Sequence, residues 1–483
     1  MPKPGKKINV GWACEDITPD KPVFLAGQFH ARVSEGVLDP VTVTALALDS
    51  GGDHVVMASC DLVSVSDELR DAVRGLARKA VPDLDPLKIV LNATHTHTAP
   101  HQRPSGAWAG VELPVMPAGD YVEFAASRIA GAIQKAWATR APGKIAYGQG
   151  FAVVGRNRRW VNTAGTSTMY GNTDVPDFCN IEGYEDHSVN ILATKDASGR
   201  ITGLVINLAC PSQETEQLYS ISADYWHETR REIKKRLGDS VHVLAQCSAA
   251  GDQSPHLIYE KQADERMLRL KGRTRRQEIA HRIAGAVEDV LPCLDGAFED
   301  SMPVTHVVKT VNLDMNVLTE EDVRTAAAEA DKFCKQYEME KQKLASDEAL
   351  RTERRWYVPI TYAYNRMQWW RRVVERFEKR ESTPTLAVEI HVVRLGDVVF
   401  ATNPFEYYLD FGTYIKARSK AGQTFLVQLA GRGTYVPSRR SITGGGYGSV
   451  PASNVIGPEG GRYLAEKTVE IINGMWKQMS ASG

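Results

Sequence analysis

The sequence lacks an excess of charge of either sign. Its 483 residues contain 58 Lys plus Arg and 59 Asp plus Glu, which gives a formal net charge of −1. Proteins that bind nucleic acid gain much of their affinity from an excess of basic residues that contact phosphates. The near balance of charge therefore argues against nucleic acid as a partner, and we expect a small-molecule ligand instead.

The sequence also lacks a long apolar run. Its first residues are basic and lead directly into 8–12, without an apolar segment of the length needed for a signal peptide or a membrane span. We therefore expect no transmembrane segment. The chain as given is expected to be cytoplasmic, or secreted if a leader was trimmed, and its oligomeric state is not indicated.

Paired cysteines are missing as well. The seven cysteines are scattered and show no Cys-x-x-Cys spacing, which excludes a recognisable disulfide framework or thiolate zinc site. Hydrophobic residues make up 43% and charged residues 24% of the chain, as in ordinary globular proteins, so we expect a sizeable core.

Short β-branched runs alternate with amphipathic segments through the first 310 residues. The runs predict strands over 8–12, 43–48, 54–58, 88–91, 145–147, 189–193, 204–208 and 241–245. The segments with helical periodicity include 66–80, 120–137, 224–237 and 276–291. This alternation predicts an α/β fold with mixed sheets and flanking helices.

The segment 319–381 has a different character. It opens with the capping sequence Thr319-Glu320-Glu321-Asp322 and is rich in Ala, Glu, Lys and Arg. We interpret it as a helical insertion that forms a lid or a rim within one domain spanning 1–483. Strands are predicted again over 386–395 and 398–401, and a last helix over about 461–476.

Two histidines follow the predicted strand 88–91. If the strand conformation continued, His95 and His97 would lie on one face and supply a metal ligand and a general base together. A hydrogen-bonded structural pair is the alternative. Asp61 follows the preceding strand and could orient one imidazole, or cap the helix that begins near Ser66.

A loop of small residues, 245–256, follows another predicted strand and contains Ser254. Small residues let a backbone approach a ligand closely. Ser254 could therefore donate a hydrogen bond or act as a nucleophile, and an ordinary turn serine is the alternative.

These motifs resemble those of the neutral ceramidase family. Residues 92–100 are similar to its A-T-H-T-H-S-G-P signature, and 250–255 are similar to its A-G-D-x-S-P loop. Asn403 to Glu406 resembles the family's P-G-E, and 433–437 contains a tyrosine where the family has one. Residues 11–19 resemble its opening G-x-A-x-x-D-I-T.

The resemblance implies a ceramidase-like catalytic domain that hydrolyses an N-acyl bond. It implies a Zn²⁺ ion held by His95, Glu406 and Tyr435, with His97 transferring the proton. The resemblance also implies that Arg158 and Tyr447 stabilise the oxyanion. It implies that Ser254 orients the substrate or attacks it. From the resemblance we expect that the family's C-terminal immunoglobulin-like domain is missing from this sequence.

One departure concerns the family's second zinc histidine. In 207–214, Pro211 stands near the place of that imidazole, and proline cannot bind a metal. Either another group completes the shell, with His227, Gln213 and Glu214 as candidates, or no metal binds. Asp224 lies three residues before His227 and could instead pair with it on one helix face, or act as a substrate-binding or supporting residue.

Two other functions remain open on sequence grounds. A sugar-derived ester or glycosidic bond could be cleaved by a pair of carboxylates, with candidates Asp61, Asp224, Asp252, Glu214 and Glu216. Arginines in 156–159 and 371–372 could bind an anionic or hydroxyl-rich substrate. The second alternative is a non-catalytic binding protein that has lost its metal. The expected substrate is therefore a lipid amide or a sugar derivative.

Overall fold

The structure is a computed structural model and describes residues 7–103, 108 and 111–480. Its strands, numbered along the chain, are β1 Asn9–Asp16, β2 Thr42–Asp49, β3 His54–Cys60, β4 Ile89–Ala93, β5 Ala141–Pro142, β6 Lys144–Phe151, β7 Arg156–Asn157, β8 Arg159–Asn162, β9 Ser167–Met169, β10 Phe178–Ile181, β11 Ser188–Lys195, β12 Ile201–Leu208, β13 His242–Cys247, β14 Gln253–Ser254, β15 Val304–Asp314, β16 Thr385–Leu395, β17 Val398–Thr402, β18 Glu406–Tyr407, β19 Gln423–Val427 and β20 Tyr435–Val436.

The helices in the same residues are α1 Asp67–Ala80, α2 Ala118–Ala138, α3 Tyr225–Leu237, α4 Lys261–Lys271, α5 Arg275–Val290, α6 Glu320–Ser346, α7 Tyr357–Glu378, α8 Leu409–Arg418, α9 Arg439–Gly444 and α10 Pro458–Ser480. Each helix predicted from periodicity is present within a few residues. No helix in the described ranges combines the length and apolarity needed to cross a bilayer.

Three larger sheets carry most of the strands. Their orders are β4-β3-β2-β1-β5, β13-β12-β11-β6 and β15-β16-β17-β19. Each contains one parallel pair, β3/β4, β12/β13 and β17/β19, beside antiparallel neighbours. The mixed α/β class expected from the sequence is confirmed.

The three sheets share a central core. Leu46 from the first sheet, Val205 and Leu244 from the second, and Phe400 and Phe425 from the third belong to one buried apolar cluster. Helices cover the outer faces: α1 and α2 pack on the first sheet, α3 and α5 on the second, and α8 and α10 on the third. Strands buried on both faces explain why their sequences read as continuous apolar runs.

The carboxyl ends of the parallel strands meet at one place. The backbone N–H of Ala93, at the end of β4, donates to the carbonyl of Leu429 after β19, at 3.2 Å. Ser248, after β13, donates to Leu208 at the end of β12, at 2.9 Å. Because the strand ends are bonded to one another, the loops that follow them converge, as is usual for binding sites in α/β folds.

The segment 319–381 forms the helices α6 and α7. The first begins at the predicted capping box of Thr319 and Asp322. The second contacts the loop 27–35: Asn365 donates to the carbonyl of Phe29 at 2.8 Å, and the hydroxyl of Thr361 accepts from the N–H of Ala31 at 3.1 Å. The insertion therefore lies beside the converging strand ends as a rim.

A substitution at Gly251 tests whether the loops after the strand ends lie as close together as the structure shows. A Cβ at Gly251 would lie 2.5 Å from the carbonyl oxygen of Glu406, because the two backbones touch. We expect Gly251→Ala to lower the free energy of unfolding by about 1–3 kcal/mol, as overpacking does. Denaturant unfolding measures this.

Gly131→Ala is the matched control. A Cβ at Gly131, in α2, would meet no atom within 4 Å. It should leave stability unchanged or raise it by up to about 1 kcal/mol, since glycine is unfavourable in a helix. Equal stability of the two variants would contradict the close approach at Gly251.

Candidate active site

A cavity of about 250 Å³ opens at the converging strand ends. Its lining includes several of the residues named from the sequence, together with parts of the loop 27–35: Gly27, Phe29, His95, His97, Glu406, Tyr435 and Tyr447. Residues more than 300 positions apart in the chain thus share one cavity.

His95 does not continue the strand. Strand β4 ends at Ala93, and His95 has a left-handed φ of 66°. The expectation that simple alternation places both imidazoles on one face is therefore wrong, although both rings do face the cavity, with centroids 4.9 Å apart. The carbonyl of Val63 lies 2.7 Å from Nδ1 of His95 and can only accept, so Nδ1 carries the proton and Nε2 points into the site without one.

Glu406 and Tyr435 are brought together by a short parallel bridge. They are paired in register where β18 meets β20. Burial alone would raise the pKa of Glu406, but His95, Arg158 and the hydrogen bond from Tyr435 outweigh it and lower that pKa. Burial and the charge of Glu406 raise the pKa of Tyr435 well above its usual value, so Tyr435 keeps its proton.

Gln213 fixes the tautomer of His97. Its Oε1 accepts from Nη1 of Arg158 at 3.0 Å and from the hydroxyl of Tyr170 at 3.2 Å, so its amide nitrogen faces His97. That nitrogen lies 2.9 Å from Nε2 of His97 and can only donate. Nε2 of His97 is therefore an acceptor, and the proton of the neutral ring sits on Nδ1.

Two polar atoms lie close to Nε2 of His95. Nε2 of His95 lies 3.3 Å from Nε2 of His97 and 3.4 Å from Oε2 of Glu406. When both rings are neutral with the proton on Nδ1, no hydrogen lies between these atoms, whereas a charged His95 directs its Nε2–H at Glu406 and lowers the pKa of that carboxyl. Such an arrangement is stabilised by a positive charge at its centre, either a proton or a bound cation.

Glu216 faces the other side of His97. Its Oε2 lies 3.3 Å from Nδ1 of His97, although the two groups are not aligned for a full hydrogen bond. Arg32 ties the two segments together, since its guanidinium donates to the backbone carbonyls of both residues. Burial lowers the pKa of His97 to about 4, against the opposing charge of Glu216. The ring is therefore neutral at pH 7 and able to accept a proton.

Arg158 lies behind the cavity wall. Its Nη2 donates to the carbonyl of Gly251 at 2.8 Å and to the hydroxyl of Tyr435 at 3.2 Å, and its Nη1 donates to Tyr170 and Gln213. All four Nη hydrogens thus have protein partners. Direct contact of Arg158 with a substrate oxyanion is not supported, and Arg158 instead positions Tyr435.

Ser254 belongs to the same network. It is fully buried, and its hydroxyl lies 3.1 Å from that of Tyr170 and accepts from the N–H of His256 at 3.1 Å. It does not line the cavity. Substrate attack by Ser254 is therefore not favoured, and the serine supports Tyr170.

Asp61 and Asp224 have structural partners. Asp61 forms a bidentate pair with Arg230, at 2.7 and 2.9 Å, so the carbonyl of Val63 rather than Asp61 orients His95. Asp224 is the N-cap of α3, and its carboxylate accepts from the N–H of Thr215 at 2.6 Å. It holds the loop that carries Gln213 and Glu216.

His227 is placed apart from the cavity. It lies on α3, where burial lowers its pKa and the charges that act on it are those of Asp39, Glu228, Arg276 and Arg231. Within 7–103, 108 and 111–480, no group of three or more His, Cys, Asp or Glu side chains is arranged to hold a metal ion. The segment after β12 delivers Gln213 and Glu216 to the two sides of His97.

Tyr447 closes the cavity mouth with two further aromatic side chains. Its ring lies 5.5 Å from that of Tyr435, 6.0 Å from Phe29 and 5.8 Å from Trp369 on α7. The rim insertion thus adds an apolar wall. The sequence did not single out Phe29, Tyr170 or the contact of Glu216 with His97, because loop contacts of this kind have no spacing signal along the chain.

No protein-family model and no curated protein matches the chain. Solved structures do match. A neutral ceramidase from Pseudomonas aeruginosa superposes with a TM-score of 0.67 over 98% of this chain and 75% of its own, at 15% sequence identity. The chain has the neutral ceramidase fold. A structure described as ceramidase complexed with C2 matches equally well, with a TM-score of 0.67, 15% identity and coverage of 98% and 76%. The fold implied by the sequence resemblance to neutral ceramidases is confirmed.

Glu216 can be tested through the titration of His97. The carboxylate favours the charged imidazole, so Glu216→Gln should move the pKa of His97 further below its usual value. An NMR titration of the ring measures the shift.

Glu214→Gln is the matched control. Burial raises the pKa of Glu214 to about 8, so the carboxyl is largely protonated at pH 7 and the amide changes its charge little. An equal response of His97 in both variants would contradict the assigned contact.

Proposed function

We propose that the chain is a metal-assisted hydrolase that cleaves an amide bond. The proposal rests on one observation at the wall of the cavity. Nε2 of His95 lies 3.3 Å from Nε2 of His97 and 3.4 Å from Oε2 of Glu406. The neutral ceramidase fold supports an N-acyl substrate, since the matched structures are ceramidases.

A divalent cation would be held by His95 and Glu406 together with Tyr435. The described residues contain no group of three His, Cys, Asp or Glu side chains arranged for a metal. His95 offers an unprotonated Nε2 because Val63 holds its other nitrogen, which is how metal-binding histidines are usually oriented. Glu406 offers a carboxylate with a lowered pKa, and Tyr435 a hydroxyl beside it. These three side chains would hold zinc, and catalytic zinc sites commonly have three protein ligands.

When bound, zinc supplies a polarised carbonyl and a water with a pKa of about 7 instead of about 16. His97, whose lowered pKa leaves it neutral at pH 7, accepts the proton of the attacking group. Glu216 stabilises the charged ring while it holds that proton. His97 then delivers the proton to the leaving amine.

Hydroxyl donors stabilise the developing oxyanion. Tyr447 lines the cavity next to Tyr435, and burial raises its pKa, so it remains a donor. A well-placed donor of this kind contributes roughly 3 kcal/mol to catalysis. Arg158 acts through Tyr435, because its Nη2 bonds the hydroxyl and fixes its direction.

No observation favours the carbohydrate alternative. A two-carboxylate mechanism needs two acidic groups at one cavity. Among the described lining residues, Glu406 is the one acidic side chain. The aromatic wall of Phe29, Trp369 and Tyr447 suits an acyl chain.

His95→Ala tests the metal hypothesis. We expect the variant to lose bound zinc, measured by elemental analysis of the purified protein, because a principal ligand is removed. The rate of hydrolysis of a fluorogenic N-acyl amide should fall by at least about a hundredfold. Loss of a residue that only hydrogen-bonds a metal ligand already lowers activity by up to about that factor.

His227→Gln is the control for this experiment. The ring lies on α3 away from the cavity, so both zinc content and turnover should remain at the wild-type level. Retention of zinc and of activity in His95→Ala would overturn the proposed site. Loss of zinc in His227→Gln would instead restore His227 as a ligand.

A further inference from the structure

Three arginines surround the mouth of the cavity. Arg103 and Arg432 line it together with the proposed catalytic groups. Arg372 lies on α7 and lines the adjoining pocket with Trp369, three residues earlier on the same helix face. All three side chains are exposed to solvent, so a ligand at the mouth can reach them.

These guanidinium groups have no protein counterion. Within the described ranges, the side chains of Arg103, Arg372 and Arg432 form neither an ion pair nor a hydrogen bond. The residues outside those ranges contain no Asp or Glu, so they cannot supply a carboxylate side chain. Arg159 and Arg230, in contrast, are paired with Glu182 and Asp61.

The three charges act on one another. Desolvation within the cavity mouth and the positive charges of Arg432 and Arg372 lower the pKa of Arg103 to about 10. The pKa of Arg372 is lowered by desolvation and by Arg432, with Glu375 and Tyr364 acting in the opposite direction. Arginine side chains stay protonated at pH 7, and Glu375 offsets only part of the repulsion on Arg372.

A concentration of like charge at a concave surface attracts ligands of the opposite charge. Guanidinium groups in addition bind planar oxyanions through paired N–H donors. Nearby His101 adds no charge, because burial and the two arginines lower its pKa to about 4. The mouth thus presents three guanidinium groups that can bind an oxyanion, and among the described residues no carboxylate forms an ion pair with them, although Glu375 acts on Arg372.

We propose that the substrate is an N-acyl compound whose amine portion carries an oxyanion, and that Arg103, Arg432 and Arg372 bind that group. This inference rests on the proposed amide hydrolysis. The aromatic wall of Phe29, Trp369 and Tyr447 receives the acyl chain, and the arginines receive the charged end. Substrate preference is set by these three side chains.

Matched amides test the proposal. N-hexanoylglycine and N-hexanoyltaurine carry a carboxylate and a sulfonate, and N-hexanoylethanolamine has the same acyl chain without a charge. We expect kcat/KM for the two anionic amides to exceed that for the neutral one by about tenfold or more, since one hydrogen-bonded charge contributes that much. The advantage should shrink as ionic strength rises. The ratio of the two anionic amides separates carboxylate from sulfonate recognition.

Variants assign the effect to the arginines. Arg103→Gln and Arg432→Gln should each lower the ratio of kcat/KM for N-hexanoylglycine to kcat/KM for the neutral amide by about tenfold. Arg371→Gln is the control, because Arg371 adjoins Arg372 but contacts Cys334 at 3.6 Å. It should change neither rate. Thermal unfolding should show that Arg103→Gln and Arg432→Gln are not destabilised, since within the described residues neither guanidinium group has an ion pair or a hydrogen bond to lose.

Calorimetric binding of N-hexanoylglycine separates this inference from the proposed function. If no amide is hydrolysed but N-hexanoylglycine binds and Arg432→Gln weakens its binding, amide hydrolysis fails and the anion site stands. If all three amides are hydrolysed at equal rates and the arginine variants behave as the wild type, hydrolysis stands and the anion site is overturned. If N-hexanoylglycine does not bind and the anionic amides are not preferred over the neutral one, the anion site is also overturned.

Discussion

The site depends on an electrostatic constraint: Nε2 of His95 and the carboxylate of Glu406 are held 3.4 Å apart, beside Nε2 of His97. Val63 directs the lone pair of His95 inward, and Gln213 fixes that of His97. Glu406 adds a carboxylate with a lowered pKa. The repulsion between these lone pairs is relieved when a positive charge occupies their centre, and this is the physical reason for proposing a cation site.

The fold maintains this arrangement through close backbone contacts. A side chain on Gly27, which has a φ of +96°, would collide with the ring of His97, and one on Gly251 would meet the backbone of Glu406. Arg32, fully buried, bonds the carbonyls of His97 and Glu216. The acceptors are thus fixed before any ligand arrives, which is the property that electrostatic catalysis requires.

Much of the architecture could be predicted from the sequence. Buried strands such as β2 and β12 are continuous apolar runs, and α6 begins at the Thr319 capping box, so local pattern was sufficient. His95, His97, Glu406, Tyr435 and Tyr447 were named from motifs and share one cavity. Their roles in catalysis and metal binding remain predictions.

The rest depended on conformations and contacts that sequence patterns do not encode. The left-handed backbone at His95 broke the assumed strand alternation. Arg158 has all its Nη donors bound within the protein, Asp61 is taken by Arg230, and His227 lies elsewhere on α3. Gln213 reaches His97 from a loop 116 residues away, a distance that no local pattern spans.

The two charged features of the cavity have different proposed functions. The acceptors at its base hold the cation and the proton, and the arginines at its mouth hold the charged end of the substrate. Because of this separation, the guanidinium groups at the mouth do not compete with the cation for Glu406. Arg158 lies elsewhere, and its charge lowers the pKa of Glu406 and helps to keep that carboxyl ionised.

The most direct measurement of the central claim is a crystal structure with anomalous diffraction recorded on both sides of the zinc absorption edge. The account predicts one strong peak bound by Nε2 of His95, the carboxylate of Glu406 and the hydroxyl of Tyr435. Diffraction from protein crystallised with zinc that has no peak there, with His95 and Glu406 joined by a proton alone, would contradict it.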